Sequence, residues 1–365
     1  MKLTMNTTRL QDMIAKSVKC ASNDNQRPLT SLIAIQLKDN TLTLITSSES
    51  NYLYVRQDNI VGDDFYVVVP VEIFSKLVSK ITAEMTTLEV VDGNLVVRGG
   101  KGEHTIEIAL NEEGEPVTYP DPLNALDSSM YQSMSVKKST FNLVLGVSSA
   151  SIAAGETAKD LPEVFRGYYV GDSIVTSDTT KLCGIKIRMF YTPIMIRPET
   201  MRLTEVFSSE NLKLSVNDLS VVISSEDTVD CVIISKLMEN IEEFPVDSLT
   251  ALIDTDYKSE CAVDKMALLQ ALDRLTLFID KLDDFGVYLT FTQDGLKLAN
   301  KKSSSEELVE YVASDNFTPF TCKLDIKMLT DQVKAAPGEL INLHYGNDTC
   351  IKFVDGNVSQ LIALE

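Results

Sequence analysis

The chain repeats one supersecondary unit three times, and that repeat constrains its fold more than any other feature. A strand, a polar break and a helix read VVVPVEIFSKLVSKI at 67–81, TPIMIRPETMRLTEVF at 192–207 and FTCKLDIKMLTDQVKAA at 320–336. A hairpin with a Gly/Asn/Asp turn follows each, around Gly93, Asp218 and Asn347. An opening helix precedes each, with Leu10, Phe141 and Leu268 in matching places. All three features recur in the same order at steps of about 125 to 131 residues. Three copies of one domain imply a curved or ring-like body whose function comes from its shape.

At 365 residues there is chain enough for three cores. The expected boundaries fall at turn-rich links: EGEPVTYPDP at 113–122, and EEFPVDS at 242–248. They give domains 1–125, 126–248 and 249–365. Each reads as two helices and about eight short strands, an α+β pattern in which one helical face packs on an antiparallel sheet. The six expected helices are 7–22, 71–82, 137–154, 197–207, 264–281 and 325–336, the first capped by Thr7 or Thr8.

Net charge is −20, which taken alone argues against nucleic acid. The distribution argues otherwise. The expected helices carry more Lys and Arg than Asp and Glu, and the acidic excess lies outside them. In the first helix Leu10, Ile14 and Val18 share one face, while Arg9, Lys16 and Lys19 lie opposite. Lys76 and Lys80 are an i,i+4 pair beside the apolar row Ile73, Leu77 and Ile81. The candidate DNA-facing set is therefore Arg9, Lys16, Lys19, Lys76, Lys80, Lys137, Lys138, Arg197, Arg202, Lys265, Arg274 and Lys334. Lysines on polar helix faces are also the ordinary way to solubilise a helix, so the pattern is suggestive by itself.

Catalytic readings find no support. His104 and His344 have no i,i+3 or i,i+4 partner for a metal. Gly99-Gly100-Lys101-Gly102 lacks phosphate-loop spacing and reads as a hairpin turn. Acidic pairs such as Asp283-Asp284 read as exposed turns. No nucleophile, base and orienter assemble from spacing, so the expectation is a non-enzyme without metal or cofactor. The six cysteines form no CxxC and are expected to be free thiols. The N-terminus has no signal-peptide pattern and no apolar run is long enough to span a bilayer, so a cytoplasmic protein without membrane contact is expected.

The whole chain resembles the bacterial DNA polymerase III beta subunit, the DNA sliding clamp, in a divergent form that a phage or mobile element could encode. The resemblance rests on RPLTSLIAIQLKDNTLTLITS (27–47), FRGYYVGDSIVTSDTTKLCGIKI (165–187), EEFPVD (242–247) and the tail QLIALE. It implies a DNA-clamp fold and a head-to-tail ring dimer whose helices line a hole for double-stranded DNA. It also implies binding of the replicative polymerase and clamp loader through clamp-binding peptides. Residue by residue, Arg27 resembles a DNA-touching loop arginine. Phe165, Ser177, Thr179, Thr180, Lys181, Leu182, Pro245, Leu249 or Thr250, and the tail residues Leu361, Ile362, Ala363 and Leu364 match the peptide pocket. Ile106 and Ile108 in HTIEIAL, with Leu277, Phe278 and Ile279 in LTLFIDK, fall on elements that meet across the family's dimer interface.

The chain also departs from the family. Thr179-Thr180-Lys181 stands where Gly-His-Arg is usual, and Arg to Lys loses planar bidentate bonding. Glu163 and Val164 replace DNA-contacting tyrosines, and the tail lacks Met-Pro-Met. Lys181 is expected at the pocket rim, able to pair with an acidic peptide residue. The competing expectation is a clamp-fold protein that does not encircle DNA and serves as a decoy or scaffold for clamp-binding peptides. Oligomeric state separates the two.

Overall fold

Three strands end in a residue whose side chain caps the next helix. Asn6 closes the strand Lys2–Asn6 and accepts from Arg9 N at 3.2 Å, opening helix α1 (Thr7–Ser17). The cap is thus Asn6 rather than Thr7 or Thr8. The next helices are α2 (Val71–Ser79), α3 (Lys138–Ser148), α4 (Pro198–Leu203) and α5 (Val246–Ile253). Asp264 accepts from Ala267 N at 2.7 Å and opens α6 (Lys265–Thr276). Asp325 accepts from Met328 N at 2.9 Å and opens α7 (Ile326–Ala335). Each cap satisfies an N–H that has no partner within the helix.

This computed structural model describes residues 1–22, 28–125, 130, 132–156, 158–227, 230–279, 285–301, 304–313 and 317–365. The described residues form two bodies, one of Met1–Ser139 with Glu199–Leu237, the other of Thr140–Pro198 with Met238–Glu365. The first holds a four-stranded antiparallel sheet ordered Lys2–Asn6, Met85–Val91, Asn94–Gly99, Gly102–Glu107. It also holds an eight-stranded sheet ordered Phe65–Pro70, Leu32–Lys38, Thr41–Ser47, Asn51–Gln57, Cys231–Lys236, Ser220–Ser225, Asn211–Val216, Gln132–Lys137. In the second body a nine-stranded sheet runs Ile194–Ile196, Tyr168–Val170, Ile174–Ser177, Lys181–Ile185, Val358–Ala363, Cys350–Asp355, Leu340–Tyr345, Ser259–Asp264, Tyr311–Ala313. Its four-stranded sheet runs Glu306–Val309, Leu296–Asn300, Gly286–Phe291, Phe320–Asp325. The two large sheets draw strands from both sides of the expected boundaries at 125 and 248, so the sequence repeat and the packed body are different divisions of the chain.

The repeat nevertheless persists in atomic detail. Thr7 N, Lys138 N and Lys265 N donate to Glu84 O, Glu210 O and Glu339 O at 2.9, 2.8 and 2.8 Å. At the end of each second helical segment, one side chain from the first helix holds the terminal carbonyls. Gln11 Nε2 reaches Val78 O (2.9 Å) and Ile81 O (3.0 Å). Lys138 Nζ reaches Glu205 O (3.1 Å) and Phe207 O (2.5 Å). Lys265 Nζ reaches Lys334 O (3.0 Å) and Ala336 O (2.6 Å). An ammonium there meets the negative end of the helix dipole and satisfies acceptors left over by the helix.

Cores form where these helices lie on sheets. In the second body Leu268, Leu272 and Leu275 of α6 and Leu329 and Val333 of α7 pack with Leu289, Phe291 and Leu343. Phe291 stacks on Tyr345 with ring centroids 3.8 Å apart. All six cysteines are free and buried. Burial pushes the thiols of Cys20, Cys183, Cys231, Cys261 and Cys322 up to about 12.

The helices differ from the sequence expectation in two ways. They are shorter: α1 stops at Ser17, α3 at Ser148 before a 3-10 turn through the serine run Ser149–Ser151, and α6 at Thr276. A helix not expected, α5, occupies what was read as a link. Pro245 sits at its N-cap position, where its missing N–H costs no intrahelical bond, and Asp247 in its first turn meets the positive end of the helix dipole. Gly184 makes room for it, since a Cβ at that position would collide with the Ile253 side chain.

Lys265→Met keeps the apolar stem and removes the cation from the α7 carbonyls. Urea unfolding should show a loss of about 1 kcal/mol, whereas Lys327→Met, on the same helix pair but away from those carbonyls, should change stability little.

Candidate partner groove and basic helix faces

The strand Lys181–Ile185 lies between Ile174–Ser177 and the C-terminal strand Val358–Ala363, with Leu182 opposite Leu361 and Lys181 opposite Ile362. Beside this seam α5 presents Leu249 and Leu252. Together they bound an open groove of about 220 Å³, lined by Ser177, Thr179, Thr180, Lys181, Leu182, Leu249, Leu252, Thr349, Cys350, Leu361 and Ala363. Eight positions expected from sequence meet here: Ser177, Thr179, Thr180, Lys181, Leu182, Leu249, Leu361 and Ala363. Of the two alternatives at the α5 position, Leu249 rather than Thr250 lines the groove.

Other expected positions do not line it. Phe165 is buried and packs behind, in a cluster with Leu182, Leu361 and Cys350, its ring 5.6 Å from that of Phe244. Pro245 is exposed at the N-cap of α5. Ile362 is fully buried on the opposite face of the sheet, in the core with Phe291 and Leu343, and Leu364 packs against that same core. Strand alternation dictates this: when Leu361 and Ala363 face the groove, Ile362 must face away. Leu252, Thr349 and Cys350 were missed. The i,i+3 spacing of Leu249 and Leu252 would have found Leu252, had the link been read as a helix. Cys350 is visible only through its pairing with Ala363.

The turn at 178–181 is held by one carboxylate. Asp178 Oδ1 accepts from Thr180 N (3.0 Å), Thr180 Oγ1 (2.8 Å) and Lys181 N (2.6 Å). Its Oδ2 lies 3.0 Å from Lys181 Nζ, with the two side chains 9% and 13% exposed. Thr179 adopts a left-handed φ of 75° and its N–H donates to Ser177 Oγ. Lys181 is therefore not a free rim cation, which corrects its expected pairing with an acidic peptide residue. Cys350 Sγ lies 3.0 Å from Tyr257 OH, and that hydroxyl is pushed up, first by burial and then by the thiol.

The basic residues divide into two groups. Arg9, Lys80, Lys137, Arg202 and Lys334 are exposed. Arg202 and Lys19 line an open cavity of about 550 Å³ together with Glu199 and Glu205. The remainder have partners within the chain. Lys16 meets Asp12 (3.4 Å) and Ser208 (2.9 Å), Lys19 meets Glu205 (2.7 Å), and Lys76 pairs with Glu72. Arg197 meets Glu163 (2.5 Å), and Arg274 holds both oxygens of Glu307 at 2.8 Å. Lys138 and Lys265 point at helix carbonyls, so they are structural caps. Arg27 lies outside the described residues.

Among the expected interface residues, Leu277 and Phe278 at the end of α6 are 81% and 55% exposed. Ile279 packs partly against the core below. The Ile106 side chain is buried in its own sheet, so it is not open to a partner's side chains. Ile108, just past the strand end, is half-buried. No helix among the described residues is long and apolar enough to cross a membrane.

No family model and no curated protein matches the chain. Solved structures do match it. A DNA polymerase III beta subunit from Eubacterium rectale is 18% identical with a TM-score of 0.82, covering 100% of this chain and 99% of the other. The Bacillus subtilis DNA polymerase sliding clamp is 17% identical at TM-score 0.82, with the same coverage. The Bartonella birtlesii sliding clamp bound to griselimycin is 15% identical at TM-score 0.83, again with the same coverage. At this level of identity the likeness establishes the fold: the chain has the α+β sliding-clamp fold over its full length.

The thiols differ in surroundings: Cys350 lines the groove, Cys20 lines the cavity beside Arg202 and Cys261 lines a third pocket. Timed alkylation at pH 8 followed by intact mass should show at most three sites reacting before unfolding, at Cys20, Cys261 and Cys350, one of them lost in Cys350→Ser, with the other three thiols reacting only on unfolding.

Proposed function

We propose that this protein is a DNA sliding clamp, a non-enzymatic processivity factor of DNA replication that closes as a homodimeric ring around duplex DNA. In this reading the three sequence copies are three clamp domains, 1–125, 126–248 and 249–365. One observation carries it. Asn51–Gln57 pairs with Cys231–Lys236, and Lys181–Ile185 pairs with Val358–Ala363, both antiparallel. By the repeat, Glu306–Val309 is the third counterpart of the first strand in each pair, and Gly102–Glu107 of the second. These two end four-stranded sheets without such a partner among the described residues. An open strand edge of this kind invites pairing with another chain. A second copy, head to tail, makes the third junction twice and closes the ring.

Leu277 and Phe278, exposed at the end of α6, suit the buried centre of that junction. An interface of this class buries on the order of 1,200–2,000 Å² in total. Light scattering at tens of micromolar should give twice the chain mass, and the paired substitution Leu277→Asp with Phe278→Asp should give the single-chain mass while the protein stays folded. A monomeric native protein would instead favour the non-encircling decoy or scaffold.

DNA contact in this reading is weak and independent of sequence. The acidic excess repels phosphates, and of the expected DNA-facing set the exposed cations Arg9, Lys80, Lys137, Arg202 and Lys334 offer charge. Retention should come from topology. The protein loaded on closed circular plasmid should elute far more slowly than from a short linear duplex, with linearisation releasing it. Equal retention on both would mean ordinary surface binding. The groove would take clamp-binding peptides of the replicative polymerase and clamp loader, in the cytoplasm and without a cofactor or membrane contact.

A further inference from the structure

We infer that the groove selects its peptide by apolar anchors alone and discriminates against a carboxylate beside the 178–181 turn, with Asp178 and Lys181 as the residues that set this preference. The inference rests on the groove being a peptide site. Its ground is that Lys181 is already neutralised from within. Asp178 Oδ2 sits 3.0 Å from its ammonium, and Asp178 Oδ1 is fixed by three donors. Both side chains are largely desolvated, so breaking the pair to serve a ligand would leave an uncompensated charge in a poorly hydrated place.

Apart from the exposed, uncharged hydroxyl of Thr179, the polar side chains of the wall are committed too. Ser177 Oγ donates to Lys181 O (3.0 Å), and Thr349 Oγ1 donates to Asn347 Oδ1 (2.6 Å). Cys350 Sγ is engaged with Tyr257 OH. What is left to a ligand is that neutral hydroxyl and the surface of Leu182, Leu249, Leu252 and Leu361. A leucine or phenylalanine side chain gains by leaving water there. A peptide carboxylate would be stripped of water, would find no open cation among the described lining residues, and would approach a chain of net charge −20.

Three synthetic nonapeptides sharing one Leu and one Phe anchor, and differing only in Gln, Glu or Lys at the flanking position, test this by fluorescence anisotropy. The native protein should bind the Gln peptide at least about fivefold tighter than the Glu peptide, with the Gln affinity changing less than about twofold from about 50 to 300 mM salt. Asp178→Asn retains an oxygen for the three donors and removes the charge. It should raise affinity for the Glu peptide about tenfold and make that binding salt-sensitive. The double variant Asp178→Asn with Lys181→Gln should return to the native ratio, which separates the charge effect from damage to the turn. Native preference for the Glu peptide, or an unchanged ratio in Asp178→Asn, would overturn the charge rule while leaving the groove intact. Binding of the Gln peptide undiminished by Leu249→Arg, or absent altogether, would overturn the peptide site and this inference with it.

Discussion

Two antiparallel ladders, each joining strands far apart in sequence, hold this molecule together. Asn51–Gln57 against Cys231–Lys236 and Lys181–Ile185 against Val358–Ala363 turn what would be short sheets into sheets of eight and nine strands. Each lies in the interior of its sheet, so parting either ladder would split a large sheet into two smaller ones and leave a row of N–H and C=O groups unpaired. The second ladder also makes the groove, because it sets Leu182 beside Leu361, and Cys350 beside Ala363 in the next strand. Site and scaffold are here the same set of hydrogen bonds.

The helices depend on a second economy of charge. A chain with net charge −20 has few cations to spare. It uses Lys138 and Lys265 to hold helix-terminal carbonyls, where Gln11 does the same without charge. Others are neutralised by Asp12, Glu72, Glu205, Glu163 and Glu307. Exposed pairs of this sort contribute little to stability. Their main consequence is electrostatic, for they leave the helix faces only mildly positive. The groove follows the same rule, with its single lysine held by Asp178.

Much of this was legible in the chain. The triple repeat appears in the hydrogen bonds of Thr7, Lys138 and Lys265 to three glutamate carbonyls. The hairpin turn expected around Gly93 falls where Asp92 and Gly93 supply left-handed φ values. Eight of the groove residues were placed by motif. The failures have specific causes. Helix ends were overrun because Ser149–Ser151 and the residues after Thr276 continue the apolar rhythm without continuing the helix. Helix α5 is hidden because Pro245 looks like a terminator, yet at the N-cap its missing N–H costs the helix nothing.

Sequence by itself determined the repeat, the α+β pattern, the amphipathic faces and which segments carry the site, because these depend on period and residue type along a short stretch. Tertiary structure decided which cations are free, which face of Val358–Ala363 meets the groove, and that Lys181 belongs to Asp178. Those facts depend on partners dozens to hundreds of residues away, or on a turn whose geometry a single carboxylate fixes. A one-residue change of register exchanges Leu361 for Ile362, and no local pattern in an apolar tail says which way it falls.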